Sequence, residues 1–390
     1  MKKTKLLSLV LTAALVLTTV FASTEAIFAS SVTSGSQTYT EITAQDVNKI
    51  TDATTIKYTA SMTTGTDNTA VIPVKVSKAG TICVPLNGVA VGKGVTVTLH
   101  SASTASDGNK IGYSKYLSSS STQNTLNVKV TKTGTYYLKF ETSKYSAGEA
   151  QSVEFNCLFY PAGGTLTKGK IYYGVSGDNN KVSYYKVTAS GNGYLTVSFP
   201  KRENDYSSYY VKLTNSKKKA LFNGFENLYS SKGYTTRIGV TKGTYYIAVK
   251  NSDNAYGIKA TFTSVKESSG STRSKAKSIY KGGTKKGIIT AAQSSTSGDW
   301  YKFKITKTQK VKFSISTLTS AGGSYGGLKF SFYQSGKSYA GFTQSFSYSQ
   351  PSGTIQPYSV YSTKKLSPGT YYIKVQKNSD GSGYYKMKWL

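Results

Sequence analysis

The tetrapeptide Gly-Thr-Tyr-Tyr occurs three times in the chain, in TKTGTYYLKF (131–140), TKGTYYIAVK (241–250) and SPGTYYIKVQ (367–376). Successive side chains of an extended strand point to opposite faces, so each copy has an apolar and a polar side. Tyr136, Leu138 and Phe140 share the apolar side, as do Tyr245, Ile247 and Val249, and Tyr371, Ile373 and Val375. Tyr137 and Lys139, Tyr246 and Lys250, and Tyr372 and Lys374 fall on the other. Glycine supplies the tight turn at the strand entrance, and LSPGTY (366–371) has the form of a tyrosine corner, in which the phenol bonds back to nearby backbone. A buried hydroxyl without such a partner would cost roughly 1–3 kcal/mol. Tyr136, Tyr245 and Tyr371 are therefore assigned a structural role.

The copies extend beyond this strand. SGDWYKFKITKTQKVKFSIS in the third matches KVSYYKVTASGNGYLTVSF in the second and NTAVIPVKVSKAGTICVPL in the first. Each reads as strand, short turn, strand, that is, a hairpin. VTVTLHSAS, YVKLTNSKK and LKFSFYQSGKS supply a third strand running into a polar turn. After GTYY, KNSDNAYGIKATF and KNSDGSGYYKMKW read as a further hairpin around Asn-Ser-Asp. Short alternating strands between turn signals, with no helical-period run, predict an all-β chain of antiparallel sandwiches. The spacing of the copies, 109 and then 126 residues, divides the chain into three such domains, 30–160, 161–267 and 268–390. Each is long enough to enclose a core.

Residues 1–29 read as a secretory signal peptide, with three lysines before an apolar run from Leu6 to about Val20 and small residues at Ala22, Ala26 and Ala29. Cleavage after Ala22 or after Ala29 fits. No later stretch has the apolar length that crossing a bilayer requires, so no membrane insertion is expected. No Cys follows the leader closely enough to carry a lipid. The C-terminal YYKMKWL is neither a wall-sorting signal nor an anchor, and attachment to a cell is expected to be non-covalent.

Charge is graded along the chain. Segment 30–160 carries 11 basic and 8 acidic residues (+3), 161–267 carries 16 and 6 (+10), and 268–390 carries 19 and 2 (+17). Solubility asks for a magnitude of only about 2–8 in a small domain. The excess in the last segment points to a polyanionic partner held mainly there.

With GDWYKF early and LSPGTYYIKV near the end, after the lead-in SKAKSIYKGGTKKGII, the segment 270–390 resembles the bacterial pre-peptidase C-terminal domains. The resemblance extends in weaker form to 161–265 and 33–160. It implies a jelly-roll-like sandwich, so the fold expected is three tandem antiparallel jelly-roll-like β-sandwiches. It also implies a module that binds, targets or supports a neighbour. The collagen-binding domains of clostridial collagenases are relatives. Some family members bind calcium through acidic clusters. This sequence departs from them, with Asn215 and Gln334 at strand ends where acidic residues would be expected.

Groups able to do chemistry are scarce. The only histidine, His100, matches Thr214 and Tyr333 of the other copies and reads as a surface residue near a turn. GGSYG (322–326) fits the nucleophile pattern G-x-S-x-G only formally, since that pattern needs a strand-to-helix elbow and a triad. The third segment has only Asp299 and Asp380, too few for a paired-carboxylate hydrolase or a calcium cage. Cys83 is expected to point outward and Cys157 inward, which argues against a disulfide. No enzyme, cofactor or metal is expected.

What remains is a surface. Trp300, Lys302 and Lys304 face outward from GDWYKFKI, Tyr184 and Lys186 repeat the pattern, and Tyr372, Lys374 and Tyr246 come from GTYY. Outward aromatics interleaved with lysines suit polyanionic or sugar ligands. They also suit a solvated sheet whose lysines block edge pairing and whose rings are cross-strand partners. The function expected is a secreted, non-catalytic surface or matrix protein held to an anionic wall polymer or polysaccharide such as teichoic acid. The alternative, implied by the collagenase relatives, is an adhesin for host collagen or glycans. Nucleic acid would be held non-specifically, since no recognition motif is present.

Overall fold

The computed structural model describes residues 31–34, 37–65, 67–89, 94–118, 124–143, 148–175, 182–201, 208–221, 226–229, 233–250, 255–319, 327–338, 340–347 and 354–390. The segment 1–29 expected to be a signal peptide and the GGSYG segment at 322–326 lie outside them, as does the first Asn-Ser-Asp, at 251–253. Strands dominate the described residues, and the only helical turns among them are two short 3-10 segments, Asp52–Thr54 and Asp107–Asn109.

The chain forms three β-sandwiches in tandem, each with its own apolar core. In the third, a five-stranded sheet runs in the order Lys277–Ser278, Asp299–Ile305, Gly369–Asn378, Gly327–Gln334 and Phe342–Ser347. Facing it is a four-stranded sheet of Thr284–Ile289, Gly383–Trp389, Lys312–Thr319 and Thr354–Tyr361. The second sandwich repeats both orders strand for strand, with Gly243–Lys250 central in its five-stranded sheet. In the first, Gly134–Glu141 is again central, between Thr69–Val76 and Val95–His100. All pairings are antiparallel except those of two-residue edge strands such as Lys277–Ser278, which run parallel to their neighbours.

The inward residues are the alternating ones. Ile373 and Val375, Ile247 and Val249, and Leu138 and Phe140 are fully buried, as are Tyr301, Phe303 and Ile305.

Two connections differ from the hairpins expected. Asp299–Ile305 and Lys312–Thr319 are consecutive, yet they belong to opposite sheets, as do Ser183–Ala189 and Gly193–Phe199, and Thr69–Val76 and Gly80–Val89. The GTYY strand and the strand after it are likewise split between sheets. These short links are arches across the core. An arch and a hairpin write the same alternating pattern, because both present apolar faces to one interior. Among these strands the true hairpins follow the third strand of each sandwich, as in Gly327–Gln334 with Phe342–Ser347.

The sandwiches touch at defined points. Asn48 Nδ2 donates to the Tyr173 carbonyl at 2.7 Å while its Oδ1 accepts from Tyr173 N at 2.6 Å, joining the first to the second. Between the second and third, Ala291 N donates to the Gly239 carbonyl at 2.7 Å and Gly239 N to Ser382 Oγ at 3.3 Å. A Cβ on Gly239 would lie 2.1 Å from the Ile289 carbonyl oxygen, so only glycine fits this approach. Tyr194 and Tyr384 meet across the same junction with ring centroids 5.9 Å apart and their planes tilted by 43°.

Candidate ligand-binding face

The three first tyrosines of GTYY all bond to the carbonyl four residues upstream. Tyr136 donates to Lys132, Tyr245 to Thr241 and Tyr371 to Ser367, each at 3.0 Å. Tyr245 and Tyr371 are buried, and Tyr136 is half-buried. This bond fixes the start of the strand whose other side carries the second tyrosine.

On the outer face of the third sandwich, register places Trp300 opposite Lys374 and Lys302 opposite Tyr372, with Tyr333 opposite Tyr372 on the far side. Trp300 and Tyr333 lie across the Tyr372 strand from one another, with ring centroids 5.4 Å apart. Lys374 Nζ stands 5.6 Å from the Trp300 ring and donates to the Thr296 carbonyl at 2.7 Å. Burial and the neighbouring Lys329 push the Lys374 ammonium down from its ordinary pKa. Arg273 completes the face. Its guanidinium lies 4.5 Å from the Tyr372 ring and 5.5 Å from Tyr333, and its two terminal nitrogens donate to the carbonyls of Lys337 (2.6 Å) and Gln334 (2.7 Å).

Beside this row runs a groove of about 550 Å³ lined by Lys281, Lys302, Lys304, Tyr280 and Tyr372. Lys281 and Lys304 are exposed and Tyr280 is 76% exposed, so two ammonium groups and one ring face solvent without cover. The groove is thus a shallow cationic trough with aromatic sides. Such a trough can take an extended anionic chain by charge and a ring by stacking.

Tyr184, Lys186 and Tyr246 lie on the second sandwich, on a separate sheet. Lys186 is opposite Tyr246, the Tyr184 and Tyr246 rings meet edge to face at 6.2 Å, and Lys218 Nζ caps both at 4.5 and 5.8 Å. The candidate residues therefore form two faces of one design, an outer aromatic pair capped by a cation of the same chain.

Reading the sequence missed Arg273 and Tyr333. Tyr333 had a signal, because it occupies the place of His100 and Thr214; all three stand opposite the second tyrosine of GTYY. Arg273 lies outside the strands and carried none.

His100 is a correction. It is buried, 1% exposed, rather than a surface residue. Its Nδ1 lies 3.0 Å from the Ser106 carbonyl and 2.9 Å from Asn109 Oδ1, and its Nε2 lies 2.8 Å from Thr98 Oγ1. Two acceptors at Nδ1 place the proton there, so Nε2 accepts from the threonine. The ring ties down the loop after its strand, which folds back over it.

The third segment has only Asp299 and Asp380, as counted in the sequence, but a carboxylate of the second segment lies beside one of them. Glu267, the last residue of the second segment, sits beside Asp299 at the junction, so the third sandwich's carboxylate does have a partner. Asp299 is buried, its Oδ2 accepts from Tyr385 at 2.5 Å, and burial, then the nearby Glu267, raise its pKa to about 8. The two residues border the same cavity at the junction. No group of three or more His, Cys, Asp or Glu side chains able to hold a metal occurs among the described residues. Cys83 and Cys157 are both buried free thiols, and burial raises the pKa of each.

No family model matches the chain, and no curated protein matches it. Among solved structures, it is similar to the tandem family 51 carbohydrate-binding modules of a family 98 glycoside hydrolase from Streptococcus pneumoniae, at 10% identity over 55% of this chain and 83% of that one, with a TM-score of 0.17. It is also similar to the N-terminal tandem family 22 carbohydrate-binding modules of Paenibacillus barcinonensis Xyn10C, at 8% identity over 81% and 80% of the two chains, with a TM-score of 0.19. A third, tripeptidyl peptidase 2, gives 10% identity over 85% of this chain and 33% of that one, with a TM-score of 0.20. At such scores nothing about ligands carries over.

Proposed function

We propose that this is an exported, non-catalytic surface protein whose third sandwich holds it to an anionic polymer, with a phosphate-backbone wall polymer such as teichoic acid as the ligand. The observation that carries this reading is the groove of Lys281, Lys302 and Lys304 beside Tyr280 and Tyr372, set in the segment of highest charge (+17). A repeating phosphodiester chain presents charges at a spacing that a row of lysines can follow, and the tyrosines supply faces for its sugars or polyols. The leader at 1–29 is what routes such a protein outside the cell, and the resemblance to pre-peptidase C-terminal domains agrees with a binding module.

Exposed ionic contacts are screened over a Debye length of about 8 Å at physiological ionic strength. Full-length protein should bind purified bacterial walls and be released by molar salt. Walls stripped of teichoic acid should retain much less. Equal retention by stripped and intact walls, or retention that survives molar salt, would exclude this ligand.

A further inference from the structure

The third sandwich has a second outward face, on its four-stranded sheet. Register sets Lys286 directly opposite Lys386, and sets Lys386 and Lys388 beside Ser316 and Ser314 of the next strand, Lys312–Thr319. Lys312 lies two residues before Ser314 and so on the same face, opposite the exposed Tyr361. Burial fixes the orientation. Tyr385, Met387 and Trp389 are buried, whereas Lys386 and Lys388 between them are exposed, as are Lys286 and Lys312. Four ammonium groups thus stand on three adjacent strands, with serine hydroxyls beside them.

Like charges directly opposite one another destabilise a sheet, and Lys286 and Lys386 are such a pair. None of the four lysines has a carboxylate partner among the described residues. The two acidic residues of the segment lie elsewhere, Asp299 buried in the facing sheet and Asp380 in the turn before Gly383–Trp389. The second sandwich fills the same places differently. Tyr256 corresponds to Tyr385 through their matching bonds to Tyr185 and Tyr301, which puts Tyr173 and Gly257 where the third sandwich has Lys286 and Lys386. There the backbone of Tyr173 receives Asn48 of the first sandwich. The place that joins two domains in one copy carries an unanswered cation pair in the next.

We propose that this face binds a second chain of anionic polymer, so that the third sandwich bridges two chains. The inference rests on the reading that the trough of Lys281, Lys302 and Lys304 holds the first. Lys302 and Lys304 project from the five-stranded sheet, and Lys286, Lys386 and Lys388 from the four-stranded one, so the two sets point away from each other. The two sheets between them pack roughly 10 Å apart, which keeps two polymer chains from competing for one set of lysines. An extended anion crossing the strands meets Lys286 and Lys386 together, and the hydroxyls of Ser314 and Ser316 can donate to its oxygens. A protein with two such faces gathers polymer into a network, which a single site does not do.

The test captures full-length protein on immobilised wall teichoic acid and then adds soluble, fluorescently labelled teichoic acid at physiological salt. The wild type should retain the label. A variant combining Lys286→Gln, Lys386→Gln and Lys388→Gln should still be captured through the trough but retain at least ~10-fold less label, as expected for three lost phosphate contacts. A control combining Lys57→Gln, Lys110→Gln and Lys168→Gln makes the same change in net charge and should retain as much as the wild type. All six lysines are exposed, so both variants should melt at the wild-type temperature or, with the Lys286 and Lys386 repulsion gone, slightly above it. Capture of the wild type without retention of label, equal retention by the face variant, or an equal loss in the control overturns the proposal and leaves the trough reading standing. Failure to capture the wild type at all overturns both.

Discussion

Tyr385 donates to Asp299 Oδ2 at 2.5 Å inside the third sandwich, where the second sandwich has Ser183, whose hydroxyl donates to the Val175 carbonyl at 2.9 Å. The swap of a hydroxyl for a carboxyl at one buried position makes the third sandwich sensitive to pH. Burial, reinforced by Glu267, raises the Asp299 pKa to about 8, against about 4 for an unfolded aspartate. The folded state therefore holds a proton that the unfolded state has released between those values. Stability is fully present below about pH 4 and is lost as pH rises through about 8. Denaturant unfolding at about pH 5, 7 and 9 should show this decline, and Asp299→Asn should flatten it. An identical slope in the variant would contradict the assignment.

The corner bonds should carry measurable stability. Tyr371→Phe and Tyr245→Phe remove a buried hydroxyl bonded to backbone and leave the Ser367 and Thr241 carbonyls short of a donor. Each should cost about 1–2 kcal/mol in urea unfolding. Tyr372→Phe, on the outer face, should cost close to nothing.

These tyrosines show what can be read from a sequence alone. Inner and outer sides followed from strand alternation, and the threefold copying announced three sandwiches, because both are written in local periodicity. The path between sheets was not legible, since an arch and a hairpin share one pattern. Burial of His100 was hidden for a different reason: it depends on a loop closing over the ring through Ser106 and Asn109. Arg273 reaches Tyr372 from outside the strands, a contact made only by tertiary folding. Glu267 beside Asp299 spans the boundary between two copies, so a count made segment by segment misses it.

The junction between the second and third sandwiches rests on Gly239. Gly239→Ala would place a methyl 2.1 Å from the Ile289 carbonyl oxygen and should part the two sandwiches without unfolding either. Small-angle scattering should report a larger radius of gyration, and limited proteolysis should cut near residues 265–270. Unchanged scattering and proteolysis would show that the junction tolerates the methyl.

The field at the outer face can be sensed by Trp300. Of the two tryptophans, Trp389 is buried, whereas Trp300 is half-buried with Lys374 5.6 Å away. Iodide should quench Trp300 fluorescence more strongly than caesium, and Lys374→Gln should narrow the difference. Stronger quenching by caesium would mean that the face is not cationic at the ring.

The central claim is that the trough of Lys281, Lys302 and Lys304 holds a polyanion by charge. Its most direct test is the affinity of the full-length protein for purified wall teichoic acid across a salt series, beside a variant with these three lysines changed to Gln. Log affinity should fall linearly with log salt for the wild type, and the slope for the variant should be shallower by about 2, on the ~0.7 per cation found for a flexible single-stranded polyanion. Equal slopes for the two proteins, or wild-type affinity that does not change with salt, would contradict the claim.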